Sequence, residues 1–126
     1  MFAAACLMVV MACGSAPTQT VGVIGRNRNV ILAPEIESYR TSGMTAYDIV
    51  AHLRPEYLKN RGISNFSQSA PLTATVYVNG AAYGDIDTLK SFDAGIVTEI
   101  RYLSASDATT RFGTDHTAGA ILVSTR

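Results

Sequence analysis

Residues 73–80 read TATVYVNG, and no other stretch constrains the fold as tightly. Val76 and Val78 alternate with Thr75 and Tyr77 at strand period, and Asn79-Gly80 follows. That dipeptide is the strongest short hairpin signal, since both residues tolerate the positive φ of a tight turn between strands. Residues 81–83 then return as a second strand. Ile86, Leu89 and Phe92 predict a short helix. Residues 97–103 (VTEIRYL) read as a strand with Ile100 and Tyr102 on one face. Residues 108–112 supply a helical turn with Asp107 as its cap. Residues 119–124 (GAILVS) carry apolar side chains on both faces, which predicts a central strand.

The N-terminal half adds helices. Short β-branched runs at 21–24 (VGVI) and 29–32 (NVIL) flank a polar 25–28, as a hairpin or strand pair would. Pro34 fits the first turn of a helix, where its missing N–H costs nothing, and Glu35 and Glu37 sit favourably there. Ile36 and Tyr39 share its expected inner face, and Ser42-Gly43 ends it. Thr45 is placed to cap a second helix over 45–53, whose Ala46, Ile49, Val50 and Leu53 form one stripe. Pro55 interrupts it, a further turn runs through Leu58, and residues 62–72 form a polar loop. The fold class predicted is α+β, a small mixed β-sheet with short helices. Ten basic residues balance ten acidic ones, so no net field favours nucleic acid, and the 16% charged fraction fits a compact fold.

Residues 2–12 carry no charge and no turn former, too short a run for a transmembrane helix and about right for the core of a signal peptide. The run ends in Val10-Met11-Ala12-Cys13, followed by a small and polar stretch through Thr20. Apolar, small, Cys, tether: the pattern resembles the lipobox of bacterial lipoproteins. That resemblance implies cleavage before Cys13 and acylation there, with residues 1–12 as signal, 13–20 as tether and 21–126 as the domain. A plain secretory signal or a buried apolar strand are the alternatives the run leaves open. With Cys6 discarded, the domain holds no cysteine for a disulfide or thiolate site.

The C-terminal third resembles the plug domain of TonB-dependent outer-membrane receptors. Plugs end in an extended segment like IExIEVL, a short Ala-rich turn closing on Tyr-Gly, a polar loop with Gly, and a strand like VIxIxT[KR]. Here VTEIRYL at 97–103 takes the first part. Residues 104–113 give the turn, with Phe112 where Tyr is usual. Residues 114–119 give the loop, and AILVSTR at 120–126 the strand. Val76-Tyr77-Val78-Asn79-Gly80 is similar to the family's Vx[IV][DN]G, and the helix at 45–53 sits where plugs carry an amphipathic one. The resemblance implies a plug-like fold and an envelope location. In the receptors a large β-barrel follows the plug, whereas this sequence stops at Arg126 and shows no convincing TonB box, so transport is not expected.

Candidate chemistry is sparse. Asp48 and His52 lie four apart on a helix, close enough for a metal or proton relay, yet they point away from the apolar stripe and read as a solvated face. Asp115 and His116 lie in a loop and read the same way. Ser104 and Ser106 lack a nucleophile elbow and read as local caps. Arg26 and Arg28 read as exposed turn residues. Tyr77 and Tyr102 are expected half-buried and Tyr83 at the surface, where tyrosine favours interfaces. The expectation is a non-enzymatic binding or docking module without cofactor or metal, held to a membrane by its lipid anchor. Its partner would be an envelope protein or small ligand, met through Tyr83, Asp85, Asp115 and His116. A periplasmic protein binding a metal chelate or glycan is the alternative. A hydrolase would require Asp48, His52 and His116 to converge.

Overall fold

A computed structural model describes residues 27–61 and 73–126. These residues form an α+β fold around one mixed five-stranded sheet, in the order β1-β4-β5-β2-β3. The strands are β1 (Val30–Leu32), β2 (Thr75–Val78), β3 (Ala81–Gly84), β4 (Val97–Leu103) and β5 (Ala120–Thr125). All neighbours pair antiparallel except β2 and β5, which run parallel with Val76 opposite Ile121 and Val78 opposite Val123. The double-faced apolar strand expected at the C-terminal end therefore takes the middle of the sheet, with Ala120, Ile121 and Val123 buried. The hairpin forms at Asn79 (φ 49°) and Gly80 (φ 87°), both in the left-handed region that the dipeptide tolerates.

Strand period two sends alternate residues to opposite faces. On one face Ile31, Val76, Val78, Ile100, Tyr102, Ile121 and Val123 meet Ile36 of α1 (Ala33–Tyr39) and Ile49 and Val50 of α2 (Ala46–Leu53). Two 3-10 segments, Pro55–Leu58 and Ile86–Ser91, add Tyr57 and Leu89 to this main core. The opposite face carries a smaller cluster, in which Tyr77 and Ala120 pack with Ala108 of α3 (Ala105–Phe112), Leu103, Phe112 and Leu122.

Local caps fix the helix starts. Thr45 and Asp48 make a capping box: the Asp48 amide donates to the Thr45 hydroxyl, and the Asp48 carboxylate accepts from the Thr45 amide at 2.8 Å. On α3 the structure corrects the expected cap. Ser104, not Asp107, caps the helix, which begins at Ala105, three residues earlier than expected. Ser104 has the extended backbone a cap needs, its hydroxyl accepts from the Asp107 amide, and it donates to the Asp107 carboxylate at 2.7 Å. Tyr39 is likewise corrected: α1 ends at Tyr39 with only Ile36 buried, and Tyr39 is 51% exposed. The expected strand at 21–24 and the loop at 62–72 lie outside the described residues, as does Cys13.

Two interactions close the sheet's C-terminal side. The Tyr102 hydroxyl donates to the Ala118 carbonyl at 2.9 Å and accepts from Arg61 at 3.2 Å, and its ring stacks on Tyr57. Gly119 (φ 86°) turns the chain into β5 directly against this hydroxyl and the Leu103 carbonyl, a position with no room for a Cβ.

Candidate functional site

The first candidate surface is the β3 edge. All four residues of this strand are exposed, and among the described residues one side of its backbone has no strand beside it. The register shifts between Val76 and Tyr77, leaving Tyr83 as an extra residue between the Ala82 and Gly84 pairings. Such a bulge re-aims a side chain. Tyr83 lies edge-on to Phe92 at 5.5 Å yet stays 56% exposed, so its ring presents apolar area and a hydroxyl to solvent. Asp85, next along, is exposed and caps the following 3-10 segment by accepting from the Asp87 amide. Tyr83 and Asp85 thus lie together at this edge, as the sequence placed them.

Asp115 and His116 are elsewhere. Asp115 is exposed at positive φ in the loop before β5. The solvated position expected of His116 is corrected: it is only 8% exposed. Its Nε2 lies 2.8 Å from the Tyr77 hydroxyl, and its Nδ1 lies 3.0 Å from the Gly113 carbonyl and 3.1 Å from that of Thr114. Carbonyls only accept, so Nδ1 carries the proton, and in the neutral ring Nε2 accepts from the tyrosine. Tyr77 also stacks on Phe112 at 3.9 Å. His116, Tyr77 and Phe112 thereby bolt α3 and the loop onto the sheet. Spacing did not reveal this, because the partner of His116 is 39 residues away.

Asp48 and His52 belong to the helix layer on the opposite side of the sheet from His116. Asp48 is engaged by its capping box. The Thr45 amide, then the Thr45 hydroxyl, and lastly the charge of His52 hold its carboxyl below the ordinary aspartate range. The described residues contain no group of three or more His, Cys, Asp or Glu side chains able to hold a metal.

A second candidate lies at the other end of the sheet. An open cleft of about 530 Å3 is lined by Arg28, Tyr39, His52, Leu53, Arg54 and Glu56. Arg54, 6% exposed, is fully engaged: it pairs with Glu35 at 3.1 Å and donates to the carbonyls of Leu53 and Asn27. Arg28, Tyr39, His52 and Glu56 have no side-chain hydrogen bond or ion pair among the described residues. No spacing in the sequence signals this grouping, because its members come from the turn before β1, from α1, from α2 and from the segment after Pro55.

No family model, curated protein or solved structure matches the chain. No helix among the described residues is long and apolar enough to cross a membrane.

Proposed function

We propose that this protein is a non-catalytic docking module of the bacterial cell envelope, plug-like in fold, anchored by lipid at Cys13 to the periplasmic face of the outer membrane. The observation that carries the docking part is the open β3 edge with Tyr83 standing out of it. An exposed edge offers backbone donors and acceptors to an added strand, and flanking side chains supply selectivity. The bulge at Tyr83 twists this edge and keeps the free stretch short, which disfavours open-ended stacking and favours one defined partner. An envelope protein offering a short extended segment is the partner that suits it.

Supporting the plug-like part is the sequence of elements after the hairpin. Strand, capped helix, glycine-bounded loop and central strand follow in the order that the resemblance implies. Supporting the anchored arrangement is the polarity of the sheet. Asn27 lies just before β1 in the chain, while β3 is at the opposite edge of the sheet. Four inter-strand steps of about 4.8 Å separate them by about 19 Å, so a tether joined at the β1 end leaves the β3 edge uncovered for a partner.

Two measurements test the proposal. Metabolic labelling with a tagged fatty acid should mark the wild type in the outer-membrane fraction and leave Cys13→Ala unlabelled. A photo-crosslinking residue at position 83 should give one discrete adduct in cells, absent when Ala82→Lys puts a charge on the edge. Absence of label in the wild type sinks the anchor, and absence of an edge-dependent adduct sinks the docking reading.

A further inference from the structure

We infer that the cleft between α1, α2 and Pro55–Leu58 binds a zwitterionic phosphate ester, of the kind that carries a primary ammonium a short link away from its phosphate. Arg28, Tyr39, His52 and Glu56, which make no side-chain hydrogen bond or ion pair among the described residues, include groups of both signs. The Arg28 guanidinium offers a planar fork of donors suited to phosphate oxygens, with the His52 imidazole and Tyr39 hydroxyl as further polar groups. Glu56 on the same cleft repels a simple anion but accepts from an ammonium. Leu53 gives the linking carbons an apolar contact.

The arrangement is not exhausted by internal pairing. Arg54, the lining residue that is buried, is held by Glu35 and by the Leu53 and Asn27 carbonyls, which fixes the cleft wall without neutralising its rim. The Arg28 backbone is also pinned, its carbonyl accepting from the Tyr57 hydroxyl at 2.7 Å, so the guanidinium extends from a fixed base. The volume falls within the small-ligand range of about 300–1,000 Å3, but the open, polar lining suits a headgroup more than an enclosed molecule.

Two sources present this chemistry: a phosphoethanolamine headgroup in a bilayer, and a free ester of the same kind. The cleft lies at the end of the sheet where the chain from Cys13 enters. The stretch from Cys13 to Asn27 reaches at most about 50 Å, which keeps the cleft within range of the headgroups if Cys13 is acylated. The inference is independent of partner docking at β3.

The test uses the full chain as Cys13→Ser. O-phosphoethanolamine is titrated while amide and imidazole NMR signals of Arg28 and His52 are followed, with inorganic phosphate and ethanolamine as comparisons. Saturation by the ester, at least about tenfold tighter than by phosphate, is expected. Arg28→Ala and Glu56→Gln, both at accessible cleft positions, should each weaken it about tenfold without changing the unfolding midpoint by more than a small margin. Flotation with phosphatidylethanolamine against phosphatidylcholine vesicles then separates the sources. The apolar N-terminal run contributes equally to both, and the quaternary choline has no N–H to give Glu56. A preference for phosphatidylethanolamine that Glu56→Gln abolishes assigns the site to a bilayer headgroup. Saturation by the free ester with no vesicle preference assigns it to a soluble ester. Phosphate binding as tightly as the ester, insensitivity to Glu56→Gln, or no saturation at all would overturn the inference.

Discussion

Replacing Gly119 with alanine isolates how much the fold depends on one close approach. Gly119 and Gly43 both sit at positive φ, at 86° and 84°, so an alanine at either incurs the same backbone penalty of about 1–2 kcal/mol. They differ in what the new methyl meets. At Gly43 nothing lies within 4 Å, whereas at Gly119 the Cβ would collide with the Leu103 carbonyl oxygen and stand 2.6 Å from the Tyr102 hydroxyl. Relief requires β4 and β5 to part or Tyr102 to swing away, an overpacking cost of about 1–3 kcal/mol. Either movement strains the hydroxyl's bond to the Ala118 carbonyl, adding about 1 kcal/mol. Gly119→Ala should therefore be about 2–4 kcal/mol less stable than Gly43→Ala. Urea titration followed by circular dichroism measures this difference directly. For a domain of this size the melting temperature should fall below that of Gly43→Ala by about 8 °C or more. Equal stabilities of the two variants, within about 0.5 kcal/mol, would refute the steric account of the β4–β5 junction.

Thr45→Ala removes the capping box and should cost about 1 kcal/mol in the same titration. Asp48 has a folded-state pKa below its unfolded value, so its contribution is present above the unfolded pKa and fades as pH falls through the folded one. The stability gap between wild type and Asp48→Asn should accordingly close in acid, read from urea midpoints at neutral and strongly acidic pH. Burial pushes the Tyr57 phenol from 10.0 up to about 12. Its proton is held more tightly when folded, so this contribution is intact below pH 10 and is lost as pH climbs toward 12; Tyr57→Phe should flatten that alkaline decline relative to wild type. His116→Ala leaves the buried Tyr77 hydroxyl without its partner and should destabilise by about 1–3 kcal/mol, with a coupling of about 1 kcal/mol to Tyr77→Phe in a double-mutant cycle.

Local signals carried most of the fold. The Asn79-Gly80 turn, the Thr45 cap, the Pro34 start and the exact span of β4 are each determined within a few residues, by turn chemistry or by apolar period. The central place of β5 was legible for the same reason, because a strand apolar on both faces must be covered on both. Legibility failed where two candidate groups compete over a short distance. Ser104 and Asp107 are both good caps, and choosing between them requires knowing where the extended backbone of β4 ends. It failed altogether for long-range pairs. Nothing local ties His116 to Tyr77, or Arg54 to Glu35, and the cleft at Arg54 is a product of packing α1 against the turn after α2. The exposed position of Tyr83 was legible because it follows a tight turn on a strand with little apolar content.

The sheet order also bears on when the molecule can fold. Before β5 is made, β1 can pair with β4 and β2 with β3, but among the described residues the two pairs have no other strand to join them. The bridge is the last of the described strands, and it pairs in parallel with one that precedes it by 45 residues, Thr75 with Ala120. A nascent chain that has not yet reached β5 therefore holds two separate strand pairs and no closed sheet. Under the export proposed above, a chain of this topology stays open and threadable until β5 emerges.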